Sequence, residues 1–266
     1  KTEDFEDTYI GRRAAEWIEH VPDDFPWHYF VSFVGPHDPF DPPSEYGDRY
    51  RDKAMPPAIA DTLEGKPECI QKRAKDFSPE EITQTRRPYC AATELIDHQI
   101  GQILAALEKR GQLDNTYIVF ASDHGELLGD HGLYAKSAAY EASLRVPLIV
   151  AGPDIEGGRV SDALCELIDL NATLCDFAGL APQEGIDARS LRPVLNGSSD
   201  THREDTVSAL QNFRCIRTAT HKYIHNHNDL DELYDLDRDH DELHNIAAAA
   251  ADLVVDLSRR LRRRLI

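Results

Sequence analysis

Two short stretches concentrate the residue types that do chemistry on anions and metal ions. The first, Gly35-Pro36-His37-Asp38-Pro39-Phe40, holds an imidazole in a proline-bounded turn. The second runs Ser122-Asp123-His124-Gly125-Glu126, continues through Leu127-Leu-Gly-Asp-His131-Gly132 and reaches Lys136. Asp123 and His124 offer a carboxylate oxygen and an imidazole nitrogen on adjacent residues, and Gly125 is expected to let the backbone turn so that both face one ion. Such an oxygen-rich set suits Ca²⁺, Mg²⁺ or Mn²⁺, and a second imidazole tilts the choice toward Mn²⁺ or Zn²⁺. Taken singly, Lys136 reads as a solvated cation, His37 as a group capping its own turn, and the Asp-His pair as a polar turn contact.

These groups need a scaffold that delivers them to one edge. The run His28 to Val34 is aromatic and β-branched and predicts a buried strand ending at Gly35-Pro36; Thr116 to Ala121 and Pro147 to Ala151 predict two more. Ligands of open α/β sheets gather beyond the carboxyl ends of their strands, where both stretches fall. Helices are expected over 8–20, stopped by Pro22, over 91–110, stopped by Gly111, and over 161–179, closed by Gly179. Residues 35–90 are rich in Pro, Gly, Asp and Arg and read as a long surface excursion. Strands alternating with helices imply an α/β fold over residues 1–200. Residues 201–266 read as a small α+β module, with short strands near 206–210, 213–218 and 222–227, an acidic turn-rich stretch, and a final helix with a basic end at 259–266.

Composition bounds the function classes. The 266 residues carry a net charge of −19, which argues against nucleic acid and against an anionic membrane surface as partners. No apolar run approaches the ~18 residues of a membrane span. Five cysteines without a CxxC pair favour scattered reduced thiols over a disulfide framework. The chain opens on Lys1 with no leader in view; its location stays open, with the cytoplasm favoured over a periplasmic or secreted setting. His240-Asp-Glu-Leu-His244 has the histidine spacing of a zinc protease but Asp241 where the catalytic Glu belongs, and Asp235-x-Asp237-x-Asp239 lacks the Gly and Glu of a calcium loop.

The combined pattern Ser122-Asp-His-Gly-Glu-x-x-Gly-Asp-His-Gly-x-x-x-Lys136, with Glu141-x-x-x-Arg145-Val-Pro-Leu-Ile149, closely resembles the sulfatase family of the alkaline-phosphatase-like superfamily. Val31 to Phe40 resembles that family's second strand-plus-histidine motif. Cys215-Ile-Arg-Thr218, Tyr223, Glu232-Leu-Tyr-Asp-Leu236 and Asn245-Ile-Ala247 resemble its C-terminal subdomain. The likeness runs from about residue 8 to about 250. It implies an alkaline-phosphatase-like sheet with flanking helices, incomplete here, plus the small C-terminal subdomain.

By the same resemblance Asp123 and His124 are ligands of a divalent ion, calcium first and manganese or magnesium as alternatives. Lys136 contacts the sulfuryl oxygens, His37 the sulfate or the leaving-group oxygen, and His131 lines the pocket. The expected substrate is a sulfate ester of a small molecule or saccharide. The family's C/S-x-P-x-R motif, whose Cys or Ser becomes the formylglycine nucleophile, is absent: none of the prolines has Arg two residues later. The paired-aspartate metal motif is absent too, since Asp23-Asp24 precedes its predicted strand. The chain therefore reads as the C-terminal portion of a sulfatase-like enzyme, with part of the active site and inactive in isolation. A phosphonate monoester or phosphodiester hydrolase, or a non-catalytic fragment, are the alternative readings.

Overall fold

The computed structural model describes residues 2–265, so Lys1 and Ile266 of the expected 1–200 and 201–266 segments lie outside the described residues. In chain order the helices are α1 (Glu6–His20), α2 (Ser44–Tyr50), α3 (Glu68–Gln71), α4 (Pro79–Lys109), α5 (Glu141–Leu144), α6 (Asp169–Phe177), α7 (Arg192–Leu195) and α8 (Ala251–Arg264). The strands are β1 (Ile118–Ala121), β2 (Leu148–Ala151), β3 (Asp205–Leu210), β4 (Phe213–Thr218), β5 (His221–Asn226) and β6 (Glu232–Asp235). They fall into two units, one of residues 2–58 and 77–116, the other of 59–76 and 117–265.

In the first unit α1 buries Asp7, Gly11, Ala14 and Ile18, which recur at helical spacing and share one face. That face packs on α4, where Ala91, Ala92, Leu95 and Ile96 are buried. A Cβ on Gly11 would sit 2.5 Å from the Gln99 Cβ, so only glycine allows this approach. At the far end Arg110 donates to the Val21 carbonyl at 2.8 Å, and also to Ile18 and Asp23, fastening the end of α1.

Two expectations fail here. The helix expected over 91–110 begins twelve residues earlier, at Pro79. Ser78 and Glu81 form a capping box, with Ser78 N–H donating to Glu81 at 2.8 Å, and Pro79 occupies the first turn where no amide is needed. Pro88 is carried inside the helix. The strand expected over His28–Val34 has no ladder partner among the described residues, and Phe30 is 77% exposed. Aromatic and β-branched composition alone does not make a strand; the N–H groups of Val34 and Gly35 are taken by the Asp7 carboxylate at 2.8 and 3.1 Å.

In the second unit β1 and β2, joined by the long 122–147 loop, pair antiparallel, Ile118 opposite Ala151 and Ala121 opposite Leu148. The tail strands form an antiparallel sheet in the order β3-β4-β5-β6. Its two faces divide by alternation. Ile216, Tyr223 and Leu233 pack with Leu257 and Leu261 of α8. Phe213, Cys215, Ile224 and Tyr234 pack with Leu127, Leu133 and Tyr140. The last set binds the 122–140 loop to the sheet. β6 lies in the stretch expected to be turns, because Glu232 reads as a surface acid but is buried. All five cysteines are free thiols, as expected.

The helix expected over 161–179 is confined to Asp169–Phe177. Residues 161–168 run irregularly along β3, with a bridge from Leu164 to Arg203 and the Glu166 carboxylate accepting the Val207 N–H at 2.7 Å. Asp169 is the reason for the break: fully buried, it accepts from Glu166 N–H and Arg189 N–H, both at 2.9 Å, and from Arg203 Nε at 2.8 Å. Burial alone would raise its carboxyl, but Arg203 and the backbone donors hold it below the usual carboxylate range. With a folded value below the unfolded one, this contribution is present above about pH 4 and is lost as pH falls through the folded value. Arg203→Met should cost about 3–5 kcal/mol at neutral pH by stranding a buried charge. Urea titrations at pH 7 and pH 3 should show the wild-type advantage shrinking in acid.

Candidate functional site

β1 ends at Ala121, and the next five residues turn on their own hydrogen bonds. Ser122 Oγ donates to the His124 carbonyl at 2.8 Å, and Asp123 Oδ1 accepts the His124 N–H at 3.0 Å. His124 Nδ1 lies 2.9 Å from the Gly125 carbonyl, which can only accept, so Nδ1 carries the proton and the lone pair is on Nε2. That nitrogen is 3.7 Å from Asp123 Oδ2, the two groups being 33% and 87% exposed. One oxygen and one nitrogen donor thus converge at a strand end. The chemistry of the pair fits a divalent ion, but a calcium ion takes six to eight oxygens. Among the described residues no cluster of three His, Cys, Asp or Glu side chains completes such a shell.

Gly125 does not turn the chain as expected. Its role is close approach: a Cβ there would lie 2.0 Å from the Ala142 carbonyl oxygen, while Gly125 N–H donates to the Ser143 carbonyl at 2.8 Å. The sharp turning falls to Leu128, Gly129, His131, Gly132 and Ala135, all at positive φ. Between them Leu127 and Leu133 plug into the core. Lys136 follows Ala135 and its carbonyl accepts from Ser143 Oγ at 2.7 Å.

His131 is buried, unlike Asp123, His124 and Lys136. Its Nδ1 is 2.8 Å from Asp61 Oδ2, its ring packs 4.4 Å from Tyr140, and its N–H donates to the Ile59 carbonyl. It borders a cavity of about 280 Å³ together with Ile59, Arg145 and His240. Burial pushes the Asp61 carboxyl up, but the His131 bond, the Leu63 N–H and the Lys66 charge bring it below its usual range. His37 belongs to the first unit and Asp123, His124, His131 and Lys136 to the second. Within its own unit His37 has Nδ1 2.9 Å from the Asp38 carbonyl, which by the same reasoning places the lone pair on Nε2, and the ring is about half exposed.

Sequence reasoning missed the buried ion network beneath the loop. Lys222, fully buried on β5, lies 2.7 Å from both Glu141 and Glu242. Burial alone would lower its pKa, yet the two carboxylates raise it. Lys66 is equally buried; it donates to Tyr234 Oη at 2.8 Å and lies 4.4 Å over the Tyr140 ring. Glu232 accepts from Tyr140 at 2.9 Å and from Asn226 at 2.9 Å. Both tyrosines are driven far up by burial and by the Glu232 charge. Isolated lysines in polar runs carry no sequence signal of burial. The Glu232-Leu-Tyr-Asp motif was the one visible pointer.

The chain matches the Sulfatase family over residues 4–180 and the C-terminal region of N-sulphoglucosamine sulphohydrolase over residues 129–266. It is 33% identical to an arylsulfatase of Clostridium perfringens over 255 residues, covering 90% of this chain and 53% of that protein. It is 35% identical to an N-acetylglucosamine-6-O-sulfatase of Bacteroides thetaiotaomicron, covering 78% and 39%. The crystal structure of a phosphonate monoester hydrolase from Agrobacterium radiobacter superposes with a TM-score of 0.87 at 26% identity, covering all of this chain and 62% of that one. The chain thus spans about half the length of the curated arylsulfatase it matches.

The approach at Gly125 is directly testable. Gly125→Ala should destabilise by about 1–3 kcal/mol through overpacking against the Ala142 carbonyl. Gly157→Ala, where an added Cβ meets nothing within 4 Å, is the control and should leave the melting temperature nearly unchanged.

Proposed function

Because the chain belongs to the sulfatase family, we propose that the polypeptide carrying it hydrolyses a sulfate ester, breaking the ester S–O bond and releasing an alcohol and inorganic sulfate. The observation that carries this reading is the convergence of Asp123 Oδ2 and His124 Nε2 at a strand end, on the loop that leads to Lys136. Asp123 and His124 would hold a divalent ion, calcium first, as two of its ligands. Such an ion, when bound, supplies positive charge as a Lewis acid. Lys136 sets an ammonium against the non-bridging sulfuryl oxygens. His37, with its Nδ1–H committed to the Asp38 carbonyl, would act through Nε2 as the imidazolium: the Nε2 proton passes to the departing alkoxide or phenoxide and the ring is left neutral with its lone pair on Nε2.

None of these residues is a nucleophile, and no Cys or Ser here stands in C/S-x-P-x-R. The family's formylglycine is therefore expected elsewhere in the polypeptide, and residues 1–266 alone should not turn over an ester. The substrate class proposed is a sulfated small molecule or saccharide, in keeping with the N-acetylglucosamine-6-O-sulfatase relative. A second reading, hydrolysis of a phosphonate monoester, is favoured by the superposition on the phosphonate hydrolase.

The test compares kcat/KM for an aryl sulfate and an aryl phosphonate monoester on the polypeptide that carries this chain. Sulfate turnover should dominate; dominant phosphonate turnover would select the second reading. Lys136→Ala should lower kcat about 10²-fold, the usual loss on removing one preorganised oxyanion contact, and a change below about threefold would show its role misassigned.

A further inference from the structure

We propose that Glu126 and Ser143 are positioning residues that together set the span between the Asp123–His124 pair and Lys136, an assignment that rests on reading those three groups as the sulfate site. Each acts through backbone groups directly adjacent to a functional residue. Glu126 Oε1 accepts the Ala135 N–H at 2.5 Å and the Leu128 N–H at 3.3 Å, and the Ala135 carbonyl accepts the Leu127 N–H at 3.2 Å. Ala135, the residue before Lys136, is thereby gripped at both its amide and its carbonyl.

Ser143 makes the second tie. Its carbonyl accepts the Gly125 N–H at 2.8 Å, one residue after His124, and its hydroxyl donates to the Lys136 carbonyl at 2.7 Å. The side chain is buried, and its own N–H is held by the Tyr140 carbonyl at 2.9 Å. One tie would leave the loop free to hinge; two ties at opposite ends fix both its length and its twist.

The backbone shows why such a brace is needed. Ala135 sits at φ +63°, a left-handed conformation that an alanine holds only when its surroundings over-determine it. A charged carboxylate accepting two amides supplies that constraint. Relaxation of Ala135 would swing Lys136 away from the metal-ligand pair, and a displacement of about 1 Å is enough to cost on the order of 10²-fold in rate.

The experiment uses the polypeptide that carries this chain. Glu126→Ala and Ser143→Ala should each lower kcat by about tenfold or more while KM shifts far less, because alignment rather than uniform binding is lost. Glu126→Gln keeps a side-chain carbonyl as acceptor and should recover most of the rate. Amide exchange across residues 122–137 should accelerate in both alanine variants. Four results overturn the brace: kcat near wild type in both alanine variants, Glu126→Gln as impaired as Glu126→Ala, unchanged exchange, or loss of the cooperative melt in Ser143→Ala, which deletes a single hydroxyl. Absence of ester turnover in the wild type, with exchange behaving as expected, overturns the sulfate-ester reading alone.

Discussion

The second unit depends on keeping Lys222 charged where no water reaches it. An ammonium buried on β5 requires carboxylates from elsewhere in the chain, and it takes Glu141 from α5 and Glu242 from the turn after β6. Removing one member of such a set typically costs about 3–5 kcal/mol, far more than an exposed pair contributes. The set is therefore all or nothing, and it locks α5 to the sheet in one register. Glu242 reinforces this by accepting the Glu141 N–H at 2.7 Å.

The reach of that lock extends into the candidate site. Glu141 opens the short helix that contains Ser143, and Ser143 holds both Gly125 and Lys136. A second layer, Lys66 with Asp61, Tyr140, Tyr234 and Glu232, ties residues 59–76 to the same face of the sheet, and Asp61 passes the connection to His131. Buried and ion-paired below, the loop leaves Asp123 out in solvent above. This division suits a site that must keep its geometry while exchanging a charged ligand.

Several features were readable from residue order because their cause is local. The period of Ala14 and Ile18 marks α1, the apolar run before Ser122 marks β1, and alternation in 206–227 marks three tail strands. Other features were misread where a local signal competes with a distant partner. Residues 79–90 read as part of a Pro-rich surface excursion but belong to a long helix with a capping box at Ser78. The 28–34 run has strand composition, yet its terminal amides go to a carboxylate 27 residues away. Helix periodicity over 161–168 yields to Asp169 and Glu166, whose carboxylates are needed by Arg203 and by β3.

By itself the sequence determined the family and singled out the loop that holds Asp123, His124 and Lys136 as the candidate site, because these are residue types at short fixed spacing. Tertiary structure decided what that loop can do. It assigned the proton of His124 to Nδ1 through a carbonyl contact, held His131 in a buried pair with Asp61, and turned Gly125 from a pivot into a point of close packing. It also placed Lys66 and Lys222 at the centre of the core. Such outcomes depend on groups brought together from up to 176 residues apart, and no short window of sequence contains both partners.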